Sequence, residues 1–381
     1  MLRRRCLALI TALTVVGLQQ APAVAAQPPI LLGQSADFSG ANAGLGVAFR
    51  QGAEACFQQV NARGGVRGRP IRLITRDDSY DPARALRNTE VLLQRDRVLA
   101  LFGYVGTPTV QAALPLIERS GVPLIAPVTG AQLLRRDDQP MIFNLRASYH
   151  EEMAAVVRYL QRYRRRQIAV FYQQDGFGKD GLLGVQRAVA GRPLQIVATA
   201  AVPRRPSQDQ VTRAAQRIAA AQPEAVLLVV PYATAAPFIR HLRQAGSEAQ
   251  VFNVSFVGSR ALMQALPPAL RHGVGISQVV PFPWDARIPL VKDYQQAMRQ
   301  AYPRSPYGFL SLEGYIAARF LVKGLQAAAV PLDRSSLIEA LRRLEGEDLG
   351  GFRLRLNPRD RNQPGFVQLT FMAGPQGVYL H

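Results

Sequence analysis

A chain of 381 residues that is 48% hydrophobic and 19% charged holds enough apolar material for two ordinary domains and is too apolar to be disordered. Two cysteines exclude a disulfide-stapled scaffold. A net charge of +20 raises a nucleic-acid reading. Against it, the chain has only three lysines (Lys179, Lys292, Lys323) and its arginines are scattered over nearly every segment, so no nucleic-acid partner is expected.

In chain order, residues 1–26 come first: Arg3, Arg4 and Arg5, an apolar run from Cys6 to Leu18, then small residues from Ala21 to Ala26. This order predicts a cleavable signal peptide, cut near Ala26 or Gln27, and its apolar run is too short for a spanning helix, which needs roughly 20 residues. The paired arginines leave a twin-arginine export signal open beside the general route. Cys6 precedes the apolar run instead of marking a cleavage site, so no lipid anchor is expected and the destination is the periplasm. Cys56 then remains alone, without a disulfide partner.

Short β-branched runs then alternate with helical patterns, the signature of parallel α/β layers. Strands are predicted at Ile30 to Ser35, Ile71 to Asp77, Val98 to Gly103 and Val122 to Pro127. The first helix, Gly44 to Asn61, puts Phe49, Ala53, Cys56, Phe57 and Val60 on one face and stops at Gly64-Gly65. Alternation restarts with strands at Gln167 to Tyr172, Leu194 to Ala200, Ala225 to Val230 and Gln250 to Ser255. Helices separate them at Gly178 to Val189, Ser207 to Ala221 and Ala233 to Ala245. Arg162 to Arg166, the densest basic cluster, fits a cationic helix C-terminus.

Two sets of βα units imply two similar lobes with no sequence repeat between them. Helices follow at Ile288 to Ala301, Ser311 to Ala328 and Ser335 to Leu344, then strand-like pieces at Phe352 to Leu356, Phe366 to Phe371 and Gly377 to Leu380. If these helices return to the first lobe and the last strands to the second, the lobes comprise residues 27–146 with 281–349, and 147–280 with 350–381. The chain then crosses about three times, near Arg146, Val280 and Leu349, which makes a bending hinge.

Several blocks carry a resemblance: Gln34-Ser35-Ala36-Asp37-Phe38-Ser39-Gly40, Val60 to Ile71, Arg76 to Pro82, Gly121 to Pro127, and Asp175-Gly176-Phe177-Gly178. Their order and spacing resemble the type I periplasmic binding proteins of the branched-chain amino-acid (leucine/isoleucine/valine-binding) family, over essentially the whole chain after residue 26. The resemblance implies an α/β fold of two Rossmann-like lobes with a ligand cleft between them. It implies a solute-binding component of an ABC importer, with a small-molecule ligand and a permease in the inner membrane as partners. The same fold also serves as a sensing module on a membrane receptor, which stands as the alternative. It implies ligand contacts from Ser39, Tyr104, Thr107, Thr129 and Gly130 in the first lobe and from Phe177, Tyr232 and Ser255 in the second.

Physical reasoning supports those positions separately. Ser39, Thr107 and Thr129 fall at strand-to-helix turns, where free backbone NH groups meet an anion; each also suits a helix N-cap. Tyr104, Phe177 and Tyr232 offer flat apolar area with or without a polar tip. Tyr149 and His150 are weaker candidates. Ser255 stands where amino-acid-binding relatives carry a glutamate for the ligand's ammonium, which points toward an anionic or neutral solute. The family's first-lobe disulfide is replaced by Tyr80 and Gly106.

Enzymatic readings fare worse. Gly176 to Gly181 is a formal G-x-G-x-x-G, but no acidic residue lies between Asp180 and Asp209 to hold a ribose. There is no G-x-S-x-G, and the four histidines lack ligand spacing. Asp77 and Asp78, neighbours at a strand end, point to opposite faces and do not form an acid/base pair. The expectation is a monomer without catalysis, cofactor or metal.

Overall fold

The computed structural model describes residues 27–356, 365–373 and 377–380, so the predicted signal peptide lies outside the described residues. The first half builds β1 (Ile30–Ala36), α1 (Ala43–Ala62), β2 (Ile71–Asp77), α2 (Pro82–Gln94), β3 (Ala100–Phe102), α3 (Thr107–Ser120), β4 (Leu124–Ile125) and β5 (Ile142–Phe143). These strands form one parallel sheet in the order β2-β1-β3-β4-β5. Parallel pairing needs a crossover after each strand, and α1, α2 and α3 supply it. Their packing buries both faces of the sheet, which is why β1 and β3 are buried along nearly their whole length, the polar Gln34 and Ser35 of β1 included.

After α4 (Tyr149–Arg162) the pattern repeats with β6 (Gln167–Gln173), α5 (Gly176–Val189), β7 (Gln195–Val202), α6 (Gln208–Ala220), β8 (Ala225–Val229), α7 (Tyr232–Gln244), β9 (Gln250–Asn253), α8 (Ser259–Ala265) and β10 (Val274–Gln278). Then come α9 (Pro289–Ala301), α10 (Phe309–Ala327), α11 (Arg334–Arg342), β11 (Gln368–Ala373) and β12 (Gly377–Leu380). The second sheet runs β12-β11-β10-β9-β8-β6-β7, with β11 and β12 antiparallel to their neighbours and the rest parallel.

The segment predicted as a strand from Phe352 to Leu356 makes only an isolated bridge, Asp348 with Arg353. Gly350 and Gly351 turn the chain there with φ near +98° and +94°, and the Asp348 carboxylate collects the NH groups of both glycines and of Phe352, an arrangement that leaves little for a ladder.

α10 lies on α1 at very short range. A Cβ placed on Gly52 would stand 1.7 Å from the Ser311 carbonyl oxygen, and one on Gly314 would stand 2.0 Å from that of Phe49, so only glycine permits this approach. Cys56 sits in the same contact, and burial pushes its thiol up to about 12, leaving it an inert apolar filler. Among the described residues no helix is long and apolar enough to cross a membrane.

Candidate functional site

In both sheets the loops after the strand carboxyl ends face each other, the edge at which open α/β sheets bind ligands. Thr107 opens α3, and its hydroxyl lies 2.7 Å from that of Thr129, which follows β4. Across the seam, α5 begins at Gly176, where an added Cβ would touch Thr107 Cγ2 at 3.7 Å. Phe177, next in line, is fully buried, its ring centroid 5.1 Å from that of Tyr149 in a tilted contact and 4.9 Å from that of Phe256 edge-on. Tyr149 in turn donates its NH to the Gly130 carbonyl at 2.9 Å. Thr107, Thr129, Gly130 and Phe177 therefore come together, and the structure adds Tyr149 and Phe256 to them.

Tyr80 belongs here too. Its ring fills the place where the resemblance implies a disulfide: a Cβ on Gly106, whose φ is +100°, would stand 2.4 Å from Tyr80 Cε2. Its hydroxyl accepts from Gln173 Nε2 of the second sheet at 3.3 Å, and its ring centroid lies 6.3 Å from that of Phe256. The signal in the sequence was the paired departure itself, a large residue at 80 opposite a glycine at 106.

Tyr104 does not join them. Its ring is buried against Leu92, Val110 and Ile117 beneath α2 and α3, and its hydroxyl shares a 3.0 Å hydrogen bond with Thr89. The expectation that it walls the cleft is corrected: a phenol with a satisfied partner in the outer core has no reason to turn inward. Ser39 lies on the exposed rim, where its hydroxyl donates to Asp77 Oδ2 at 2.6 Å and meets Ser79 at 3.1 Å. Partial desolvation works against the Asp77 charge, but hydrogen bonds from Ser39, the Phe38 NH and Ser79 outweigh it and hold the carboxyl down at about 2. Asp78 faces inward to Ser35, and burial drives it up to about 7. The two adjacent carboxyls thus do occupy opposite faces.

Tyr232 spans the seam by accepting the Gly44 NH at 3.3 Å. Ser255 lines a cavity of about 290 Å³ that also borders Gly44, Ala48, Arg260 and Ser311. Its NH and hydroxyl bind Glu152, at 2.7 and 3.0 Å, and Ser277 adds a third donor to the same carboxylate at 2.5 Å. Burial pushes the Glu152 carboxyl up while the nearby Arg146 and these hydrogen bonds pull it back. A carboxylate therefore does reach position 255, delivered from α4. The visible signal was Glu152 on the apolar stripe of that helix, in register with Tyr149, Met153 and Val156.

Arg146, on the segment joining the sheets, pairs through Nε and Nη2 with both oxygens of Glu313 on α10, at 2.9 and 3.1 Å, and both side chains are buried. His150 lies beside this crossing, its Nε2 3.3 Å from Asp180 Oδ1. Asp180 also accepts the Gln132 NH from the opposite lobe at 3.3 Å.

The formal dinucleotide fingerprint has a packing explanation. Asp175 caps α5 by accepting the Phe177 and Gly178 NH groups, which puts a carboxylate where a pyrophosphate would sit. A Cβ on Gly178 would fall 1.9 Å from the Gln173 carbonyl oxygen, so the residue is glycine to let helix and strand meet.

Residues 29–368 match the family model of the periplasmic binding proteins. A possible leucine/isoleucine/valine-binding protein from Rhodopirellula baltica SH 1 has a crystal structure that superposes with a TM-score of 0.85 at 33% identity, covering 95% of this chain and 98% of that one. Leu/Ile/Val-binding protein homolog 7 of Brucella abortus (strain 2308) is 25% identical over 377 residues, spanning 93% of this chain and 91% of its own. An amino acid binding protein of Pseudomonas aeruginosa PAO1 is 25% identical over 160 residues, so that match spans 42% of the relative's length.

Proposed function

This chain belongs to the periplasmic binding protein family, and from that premise we propose that it is the solute-binding component of an ABC importer, capturing a small organic solute between its two sheets and presenting it to an inner-membrane permease. The observation that supports this most is the convergence of Thr107, Thr129, Tyr149 and Phe177 from opposite lobes onto one seam. The names of the Rhodopirellula and Brucella relatives favour a solute of amino-acid size.

Residues 27–146 with 281–349 act as one lobe and residues 147–280 with 350–381 as the other, hinged where the chain passes between them. Residues 1–26 direct export to the periplasm and are then removed. The first lobe receives the solute on Thr107, Thr129 and the Gly130 backbone; Phe177, Tyr232 and the Ser255 loop close over it. The solute favours the closed form only through interactions that it makes there and lacks in the open one.

Thermal-shift screening of the purified mature protein against amino acids, amides and organic acids identifies the solute, because a ligand at 100 times its dissociation constant adds about 2.7 kcal/mol of stability. Thr107→Ala should then weaken that solute about tenfold by calorimetry without unfolding the protein. Unchanged affinity refutes the site.

A further inference from the structure

The densest basic cluster, Arg162 to Arg166, has a place in the fold that solute capture does not use. α4 leaves the seam at Tyr149 and ends 14 residues later at Arg162, about 20 Å away along its axis. β6 starts at Gln167, so the turn between them lies on the amino-terminal edge of the second sheet, away from the edge that faces the other lobe. Arg158, Arg162, Arg164, Arg165 and Arg166 are all exposed there. Arg192, on the turn before β7, joins them by donating to Gln161 at 2.7 Å.

A helix dipole accounts for little of this charge. It amounts to about half a charge and fades within the last turn, which a single arginine offsets. No acidic residue occurs from 153 to 174 or from 181 to 208. Glu224, the carboxylate that the fold brings to this turn, is already engaged by the Arg166 and Gln167 NH groups at 2.5 and 3.0 Å and by Arg165 at 3.6 Å. Among the described residues, the side chains of Arg158, Arg162, Arg164 and Arg166 have no hydrogen-bond or ion-pair partner. Arginines of the first lobe are used differently: Arg67, Arg69 and Arg334 tie down main-chain carbonyls. Arg164 also holds φ at +55°, in the helix-ending position that glycine usually fills, so a long cationic side chain stands there against a backbone cost.

The shape of this face narrows what it fits. Cavities of about 290, 330 and 410 Å³ all lie elsewhere on the molecule, lined by none of these arginines. A broad anionic surface therefore suits the cluster better than a small anion held in a pocket. Tyr163, 46% exposed in the midst of the arginines, sets its ring 4.5 Å from that of Tyr159. Such a ring, apolar in body and polar at its tip, belongs at the headgroup level of a bilayer, and guanidiniums pair with phosphate.

We infer that this pole docks on an anionic phospholipid surface, with its arginines on the headgroup phosphates and Tyr163 at their boundary with the acyl chains. Docking there leaves the Thr107–Phe177 seam open, and the inference does not depend on which solute the seam takes.

The test is flotation of the untagged mature protein with vesicles of phosphatidylcholine, with and without one-third phosphatidylglycerol. The wild type should bind only the anionic vesicles and should be released as salt rises from about 50 to about 500 mM, because salt screens exposed charges. Each arginine near such a surface contributes about fivefold in affinity, so Arg162→Gln/Arg164→Gln/Arg166→Gln should bind about 100-fold more weakly. Arg63→Gln/Arg72→Gln/Arg87→Gln removes the same charge from exposed positions of the first lobe and should lose about threefold at most. Both variants should melt within about 2 °C of the wild type, since the substituted groups are exposed. No binding to anionic vesicles, equal losses in the two variants, or retention at high salt overturns the inference. So does a second-lobe variant that melts several degrees lower, which would give these arginines to the fold. Binding of soluble polyglutamate that needs the second-lobe arginines, with vesicle binding that does not, would make the face one for an acidic protein and would overturn the lipid assignment.

Discussion

Replacing Glu313 by alanine should be among the costliest single changes in the protein. Arg146 is nearly inaccessible and its guanidinium stays charged at any workable pH, so removing Glu313 leaves a buried cation without its bidentate partner. Breaking a buried pair from one side costs about 3–5 kcal/mol. For a lobe of this size each kcal/mol moves the melting temperature by roughly 2–4 °C, so a fall of about 10 °C is expected in a calorimetric scan. The double variant Arg146→Met/Glu313→Leu should recover much of that loss, since an apolar pair of similar volume avoids the desolvation of both charges. Glu152 limits the recovery, because Arg146 is also its counterion. A shift below about 2 °C in Glu313→Ala would mean that water or another group neutralises Arg146, and the description of a dry ionic crossing would be wrong.

Asp78, driven up to about 7 by burial, stabilises the fold in its neutral form. Its folded value lies above its unfolded one, so its contribution is complete below about pH 4 and is lost as pH rises through 7. Asp78→Asn should therefore gain stability relative to wild type between pH 5 and 8, by up to about 4 kcal/mol, in urea titrations run across that range; a constant difference contradicts the burial assignment. Gly106→Ala should destabilise by at least about 2 kcal/mol, since φ of +100° strains any side chain and the new methyl meets Tyr80. Tyr80→Ala in the same chain should relieve only the steric part. Asp175→Ala should cost about 1 kcal/mol through loss of the α5 cap and leave protein that still folds.

Much of the architecture was legible because β-branched runs and amphipathic stripes follow directly from burial on two faces of a sheet. Ile71–Asp77 matches its predicted bounds, and α1 differs from its prediction by one residue at each end. The strands that sequence reasoning passed over explain themselves. β5 is two residues long, and β10 carries a glycine, a serine and a glutamine in five residues. Ser277 and Gln278 are tolerated there because Glu152, Ser259 and Thr370 bond to them, partners far away in the chain that no local pattern reveals.

The seam was legible in part, for a similar reason. A threonine at a strand-to-helix turn is visible in the sequence, so Thr107 and Thr129 could be named. The direction in which a loop aromatic turns depends on its neighbours, and Thr89 draws Tyr104 outward. Glu152 and Arg146 escaped because their partners, Ser255, Ser277 and Glu313, lie 103 to 167 residues away.

A crystal structure of the mature protein with its solute tests the central proposal most directly. Electron density for the solute should lie between the lobes, with an oxygen within hydrogen-bond distance of Thr107 or Thr129 and carbon atoms against the Phe177 ring. Density elsewhere on the molecule, with the Thr107–Phe177 seam closed and untouched, would contradict it.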